Sequence, residues 1–364
     1  MDASLYHPLY FILVGIFCLI VSFRYMESPG YTLQAKTSGL EIPLIISVFL
    51  ILWLGNRPIS GAYFGDTLNY ALGYSALEVS GKFVINLKLE WLWDLLSVIC
   101  KSLNLSISGF LTIIIAGYLF FSLWAVQRFT PSNTLIGILF MLSSLMFYNF
   151  GVNGLRNGLA CSMVLVAISY FLDNKYLTAF ILTFLAFGIH KSILLPVIGV
   201  FAAKFIFTNY KYAVYLWAIC IPLSLFTGSY FLNLFNSFSI DDRISGYITS
   251  QYNNLFSSTG FRWDFLLYSV PPIIFSWYII VKKKIHDNWF NAISITYCLC
   301  NAFWILIIRI AFSNRFAYLS WFLYPIIFSY ALINLPIWKD QDRKIGIILI
   351  AYCCFTLIIQ MIVW

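Results

Sequence analysis

A small set of basic and polar residues has the types and spacing for chemistry on an anion. Arg156 lies near the start of an otherwise apolar segment, "GVNGLRNGLACSMVLVAISYFL", close to Asn153. Because a helix N-terminus carries partial positive charge, a cation placed there needs a compensating anion. His190 and Lys191 form the turn after the next apolar segment. A guanidinium, an ammonium and an imidazole together can bind a phosphate or stabilise developing negative charge.

Two acidic positions upstream can supply acid–base chemistry. Asp66 forms an i,i+4 pair with Tyr70 if a short helix begins at "GDTLNY". Glu90 and Asp94 share one face of a second helical pattern, where they can act as an acid and base pair. Plain structural alternatives stay open. Asp66 can be an ordinary helix cap, the Glu90 face can be solvated, and His190 can be a hydrogen-bonded structural residue.

The composition identifies the scaffold that must hold these residues. Of the 364 residues, 61% are hydrophobic and 10% are charged, and the mean hydropathy is +0.87. These values are typical of an all-α polytopic membrane protein. No cysteine or histidine spacing fits a metal site or a disulfide framework, so the sequence supports neither. The net charge of +8 is modest for a membrane protein, which argues against nucleic acid as a partner.

A bilayer core requires about 20 apolar residues per helix, and on that basis the sequence predicts about twelve transmembrane helices. The predicted spans are 6–23, 40–55, 109–127, 133–149, 156–172, 176–189, 192–208, 213–228, 264–281, 290–308, 313–335 and 345–363. Two connections are long, 56–108 and 229–263, and the others are short turns. We therefore predict one integral membrane domain over residues 1–364.

The basic residues predict the orientation of the chain. They concentrate in the short loops after every odd-numbered span, which the positive-inside rule places in the cytoplasm. These residues are Arg24, Lys36, Arg128, Lys175, Lys204, Lys211, Lys282, Lys283, Lys284, Lys339, Arg343 and Lys344. Both termini and both long loops then face outward, so the prediction is N-out and C-out.

Four basic residues break this rule. Arg156, Lys191, Arg309 and Arg315 lie at helix ends on the outward side. Each can reach the lipid headgroups by snorkelling. Four cations at one level can instead line an anion-binding cavity, since ionisable residues at membrane depth usually face a partner.

The two long loops carry different signals. Residues 90–101 of the first loop predict an amphipathic helix, either at the outer membrane surface or packed on the bundle. The second loop interleaves aromatic residues with Asn, Ser and Gln, which suits stacking on sugar rings or an interfacial aromatic belt. Gly154, Gly158 and Ser162 recur every fourth residue and predict close approach of a neighbouring helix.

The order of these features resembles a known family. "GDTLNY", "EWLWDLLSVICKSLNLS", "NGLRNGLACSMVLVAISYFL", "FGIHKSILLPV" and "NRFAYLSWFLYPI" are similar to segments of the EpsG-like group of Wzy polysaccharide polymerases. The resemblance covers roughly residues 40 to 335 and is strongest in the Asn-x-x-Arg helix and the His-Lys turn. Here Asn157 follows the arginine where the family usually has Gln, and Trp91 follows Glu90 where the family has Gly.

The resemblance implies a GT-C-like membrane glycosyltransferase in the bacterial inner membrane, with its active site facing the periplasm. Such an enzyme polymerises O-antigen or a similar surface polysaccharide. It moves a growing glycan from undecaprenyl pyrophosphate to the sugar of an incoming undecaprenyl-pyrophosphate-linked repeat unit. The implied partners are this lipid-linked oligosaccharide, the bilayer and a separate chain-length regulator. No cofactor is implied.

The residues and the resemblance together predict the site. We expect Asp66, Arg156, His190 and Glu90 to be catalytic, with Asp66 as the leading base. The substrate-binding residues are predicted to be Arg156, Lys191, Arg309, Arg315, Tyr70, Asn153 and Tyr318. The alternatives are a polysaccharide flippase or other transporter, a membrane O-acyltransferase that uses His190, and an O-antigen ligase.

Overall fold

The computed structural model describes residues 1–27, 40–78, 90–238, 260–310 and 312–363, which form helices and turns with no strand among them. We number the helices in chain order. They are α1 (Tyr6–Glu27), α2 (Glu41–Gly55), α3 (Gly61–Phe64), α4 (Thr67–Ala76), α5 (Trp91–Ser102), α6 (Ile107–Phe129), α7 (Thr134–Leu142), α8 (Leu145–Val152), α9 (Leu155–Leu172), α10 (Tyr176–Ile189), α11 (Leu194–Phe205), α12 (Tyr210–Phe238), α13 (Trp263–Trp277), α14 (Asn288–Leu306), α15 (Asn314–Trp321), α16 (Tyr324–Asn334) and α17 (Gln341–Val363).

Eight helical stretches of the described chain are long and apolar enough to cross a membrane, and the bent pair α7–α8 makes a ninth if it counts as one span. The protein is therefore a helical multi-pass membrane protein, but the described helices do not support twelve full spans. The other predicted spans correspond to α2, α10 and α11, which have 15, 14 and 12 residues. At a rise of about 1.5 Å per residue, these helices are shorter than a hydrocarbon core of about 30 Å.

The bent pair is an apolar run that hydropathy alone predicts as one straight span. α7 and α8 meet at an angle of 73° at Ser143 and Ser144. Both hydroxyls donate to carbonyls of the preceding turn, Ser143 to Leu139 at 2.6 Å and Ser144 to Met141 at 2.7 Å. A continuous apolar run is thus broken where serines satisfy the helix end. The N-out and C-out orientation stays a prediction, and Lys36, on which it partly rests, lies outside the described residues.

The chain divides into two units. The first comprises Met1–Leu194 and Phe328–Met361, and the second comprises Leu195–Ile327 with the last residues of the chain. In the first unit, α9 packs on α6, α8 and α10. In the second unit, α12 packs on α14, and Asn301 of α14 bonds the indole of Trp217 and the hydroxyls of Ser269 and Ser320.

The described part of the first long loop contains three helices, α3, α4 and α5. The predicted amphipathic helix is present as α5, but the prediction of a solvated face for Glu90 is wrong. Glu90 and Ser97 are buried and Asp94 is exposed, whereas the apolar Ile99 is 44% exposed. Trp93 and Cys100 complete the inward face, so α5 packs on the unit through a mixed surface.

The second long loop begins later than residue 229, because α12 continues to Phe238 after a kink at Thr227. Most of the aromatic and polar segment predicted here, residues 239–259, lies outside the described residues. Near its end, the rings of Phe261 and Trp263 are 4.4 Å apart. Its proposed role in sugar recognition stays a prediction.

Gly158 provides a test of the close packing around α9. A Cβ placed there would lie 2.8 Å from the carbonyl oxygen of Phe150 and 2.7 Å from its Cβ. We expect Gly158→Ala to destabilise the protein by about 1–3 kcal/mol, because backbone in α8 would have to shift. The measurement is thermal unfolding in detergent. Gly15→Ala is the matched control, since nothing lies within 4 Å of a Cβ there. Equal melting temperatures for the two variants would contradict the tight packing of α8 on α9.

Candidate functional site

Glu90 lies at the N-cap of α5, and its carboxylate contacts basic side chains from two other parts of the first unit. Oε2 accepts a hydrogen bond from Nη1 of Arg156, and Oε1 is in hydrogen-bond contact with Nδ1 of His190. Only 6% of the Glu90 side chain is exposed, against 29% for Arg156 and 22% for His190. We call these three residues the Glu90 cluster. Its carboxylate is an anion that compensates Arg156 near the N-terminus of α9.

Two aromatic rings flank the guanidinium of Arg156. Its Cζ lies 5.4 Å from the ring centroid of Tyr70 and 5.7 Å from that of Trp93. The two rings are themselves 5.3 Å apart. Both distances to the guanidinium are within the range of cation–π attraction. Arg156 is therefore held by one carboxylate and two rings, which together limit where its remaining N–H donors can point.

The end of α10 delivers His190 to Glu90. The His190 N–H donates to the Ala186 carbonyl at 2.9 Å, and the backbone becomes extended at His190. Two residues earlier, Gly188 leaves room for Trp91, whose indole lies 2.6 Å from the position of a Cβ. Because Glu90 precedes Trp91 and His190 follows Ile189, this close approach of α5 and α10 brings Glu90 next to His190. The pairing of Glu90 with His190 follows from that contact.

The segment before α4 is joined to the start of α9. Gly65 has a φ of +51°, and Asn153 fills the space that a Cβ would need, at 2.4 Å. The Asn153 side chain accepts a hydrogen bond from the Asp66 N–H at 2.8 Å. Asp66 is at the N-cap of α4 but makes no capping bond, and its carboxylate accepts instead from the Asn69 side chain at 3.1 Å. The alternative of an ordinary side-chain cap is therefore wrong.

The carboxylates around the cluster have different environments. Asp94, one turn after Glu90, is exposed. Protein packed beside its carboxyl nevertheless raises the pKa of Asp94 above the ordinary value, and the charge of Glu90 acts in the same direction. Arg156 lowers it. Asp94 is thus close enough to sense the cluster electrostatically.

The first unit brings together most of the predicted site residues. Lys191 follows His190 in a short turn, which a hydrogen bond of 3.2 Å from Ser192 to Asn157 holds against α9. The predicted residues that lie at or next to the cluster are Asp66, Tyr70, Glu90, Asn153, Arg156, His190 and Lys191.

The sequence profile of the EpsG family matches residues 42–364, a range that contains the whole Glu90 cluster. The chain belongs to the EpsG family. The resemblance to the EpsG-like family is thereby confirmed. No curated protein and no solved structure matches the chain.

Three further predicted residues of this EpsG-family protein belong to the second unit. Arg309 is exposed and donates to the Leu225 carbonyl at 3.3 Å. The Arg315 guanidinium lies 5.1 Å from the Phe312 ring centroid. The Tyr318 hydroxyl accepts a hydrogen bond of 2.7 Å from Asn314. Their assignment to pyrophosphate or sugar binding stays a prediction.

Arg57 is a buried residue of this EpsG-family protein that the sequence did not single out. It is 1% exposed and donates to the Leu54 carbonyl, the Thr67 hydroxyl and the Val152 carbonyl at 2.7, 2.7 and 3.1 Å. It has no carboxylate partner among the residues that the structure describes. Burial lowers the pKa of Arg57 to about 10, so the side chain stays cationic at neutral pH. Arg57 joins the end of α2, the start of α4 and the end of α8.

A sequence signal for Arg57 existed. In "GNRPISG" it follows an apolar helix on the side predicted to face outward, so it also breaks the positive-inside rule. Trp93 had no such signal, because one tryptophan of an amphipathic helix looks like any other inward-facing residue.

Removal of Arg57 tests its structural role. We expect Arg57→Ala to destabilise the protein by about 2–4 kcal/mol, since two buried carbonyls and a hydroxyl lose a charged donor. The exposed Arg24→Ala in α1 is the control and should change stability by less than about 0.5 kcal/mol. Thermal unfolding in detergent measures both. An unchanged melting temperature for Arg57→Ala would mean that the loop is held without this residue.

Proposed function

We propose that the protein is a polysaccharide polymerase, a membrane glycosyltransferase that lengthens O-antigen or a similar surface glycan. It transfers a growing glycan from undecaprenyl pyrophosphate to the sugar of an incoming undecaprenyl-pyrophosphate-linked repeat unit. Membership of the EpsG family supports this class. The observation that carries the proposal is the Glu90 cluster, in which the partly exposed side chains of Arg156 and His190 both contact a buried carboxylate.

The chemistry of the transfer matches these groups. When the glycan leaves the lipid, negative charge develops on the pyrophosphate oxygens, and a guanidinium can stabilise it through two parallel hydrogen bonds. Arg156 has five N–H donors, of which Glu90 takes the Nη1 side. Lys191 lies one residue from His190 and adds a second cation. In this proposal both bind the pyrophosphate, and the assignment of Arg309 and Arg315 to the same role stays a prediction from the sequence.

Aromatic and polar groups serve the sugar in the same proposal. Tyr70 offers a ring face beside Arg156, and pyranose rings stack on such faces. Asn153 supplies a neutral hydrogen-bonding group for hydroxyls, and the assignment of Tyr318 to the sugar stays a prediction from the sequence. Asp66 is the acceptor-side base expected from the sequence.

The proposal includes a location and partners. The eight apolar helices support a multi-pass membrane protein. We place it in the bacterial inner membrane, with a GT-C-like architecture and the Glu90 cluster facing the periplasm. The lipid-linked oligosaccharide is its substrate, and a chain-length regulator is the proposed protein partner.

The gel pattern of the surface glycan tests the function. A deletion strain should carry a single repeat unit on its acceptor, and the wild-type gene should restore the full ladder. Arg156→Ala should abolish the ladder, because the loss of one transition-state charge donor costs about 10²–10³ in rate. Arg156→Lys keeps the positive charge but loses the two parallel N–H donors of the guanidinium, so it should give a shorter and fainter ladder. Arg343→Ala, at an exposed arginine of α17, is the control.

Other outcomes identify the alternatives. Complete loss of polymer in the deletion strain indicates a flippase or other transporter. An altered repeat mass at normal chain length indicates an O-acyltransferase, and polymer that accumulates on the lipid carrier indicates a ligase. A full ladder from Arg156→Ala at wild-type expression removes Arg156 from the catalytic residues.

A further inference from the structure

The Glu90 carboxylate has both oxygens occupied, which limits what it can do. One oxygen faces Arg156 and the other faces His190. The side chain is also the least exposed of the three, at 6%. A general base must come within hydrogen-bond reach of the proton that it removes. Glu90 is therefore badly placed to act on a substrate directly and well placed to act on its two neighbours.

The contact of Glu90 with His190 determines which imidazole nitrogen is free. Because Nδ1 faces the carboxylate, the neutral ring carries its proton on Nδ1 and its lone pair on Nε2. Nε2 has no hydrogen-bond partner among the described residues, and 22% of the His190 side chain is exposed. A carboxylate fixed on one imidazole nitrogen, with a lone pair on the other, is an arrangement suited to accepting a proton.

We propose that His190 is the general base of the transfer. Glu90 is its positioning residue, which orients the imidazole and stabilises the positive charge that the ring gains when it accepts the proton. This inference rests on the proposed polymerase function. The acceptor hydroxyl oxygen attacks the anomeric carbon of the donor glycan, and its proton passes to Nε2 of His190. The bond from the anomeric carbon to the pyrophosphate oxygen breaks, and its electron pair stays on that oxygen. The products are the lengthened glycan, undecaprenyl pyrophosphate and a protonated His190, which returns its proton to water.

This assignment replaces Asp66 as the leading base. The Asp66 carboxylate accepts a hydrogen bond from the Asn69 side chain, and its N–H is bonded to Asn153. These contacts fit a residue that orders the loop before α4. His190, by contrast, is in direct contact with the Glu90 carboxylate.

The charged and titratable groups around His190 predict the sign of the effect of Glu90. Glu90 and Asp94 come from α5, Arg156 comes from α9, and Lys191 follows His190 in the chain. Tyr70 from α4 lies against Arg156. Loss of the Glu90 charge removes the anion in direct contact with the imidazole and leaves the Arg156 cation uncompensated. Both changes disfavour the protonated ring that forms when His190 accepts the proton, so loss of the Glu90 charge should lower kcat.

The test is the initial rate of glycan elongation as a function of substrate concentration, with purified full-length protein in nanodiscs. The substrate is the lipid-linked repeat unit extracted from the deletion strain. Glu90→Gln keeps the hydrogen-bond acceptor and removes the charge, so kcat should fall about tenfold or more while KM for the lipid-linked substrate stays unchanged. Asp340→Asn, at an exposed carboxylate that pairs with Lys344 and not with the Glu90 cluster, should leave kcat unchanged.

A second variant decides the role of His190 even if Glu90→Gln is unstable. His190→Asn should lower kcat by about 10²–10⁴ and leave KM for the lipid-linked substrate unchanged. A raised KM with an unchanged kcat would make His190 a binding residue and overturn the proposal. A full kcat in His190→Asn would overturn the base assignment while the polymerase function stands. Failure of the wild type to elongate the glycan at any pH would overturn the polymerase function itself.

Discussion

The candidate site depends on one carboxylate that is buried between two basic side chains. A buried carboxylate without a partner is costly, so Glu90 requires Arg156 and His190 beside it. Arg156 in turn requires the Glu90 carboxylate, because it lies in the first turn of a helix whose N-terminus is already positive. Three segments that are distant in sequence, the start of α5, the start of α9 and the end of α10, are fixed by this arrangement.

Close backbone approaches hold these segments in place. Gly188 admits the indole of Trp91, and Gly65 admits the side chain of Asn153. Arg57 then joins α2, α4 and α8 through oxygens only, although it is a buried cation. Such a residue is expensive to bury, and its three hydrogen bonds explain how the fold tolerates it. The site is therefore built on packed helices and buried bonds, which keep its charged groups in a defined geometry.

Local patterns in the sequence predicted the helical membrane fold and singled out all three residues of the Glu90 cluster. Apolar runs and misplaced cations such as Arg156 and Lys191 are local signals. Hydropathy could not show where helices end, so α10 and the bent pair α7–α8 counted as full spans. It also could not show that Glu90 pairs with Arg156, which is 66 residues away, because a tertiary contact leaves no periodicity. The positive-inside rule could have marked Arg57 as an unusual cation, whereas its buried hydrogen bonds could not be predicted from the sequence.

The central claim is that Glu90 acts on the reaction through His190. A double-mutant cycle on the elongation rate tests it most directly, with wild type, Glu90→Gln, His190→Asn and the double variant compared at a single pH. If Glu90 acts only through the imidazole, its substitution has little left to remove once His190 is gone. The account predicts that the double variant is as slow as His190→Asn alone. If the double variant is slower than His190→Asn by the full factor that Glu90→Gln costs alone, the account is contradicted.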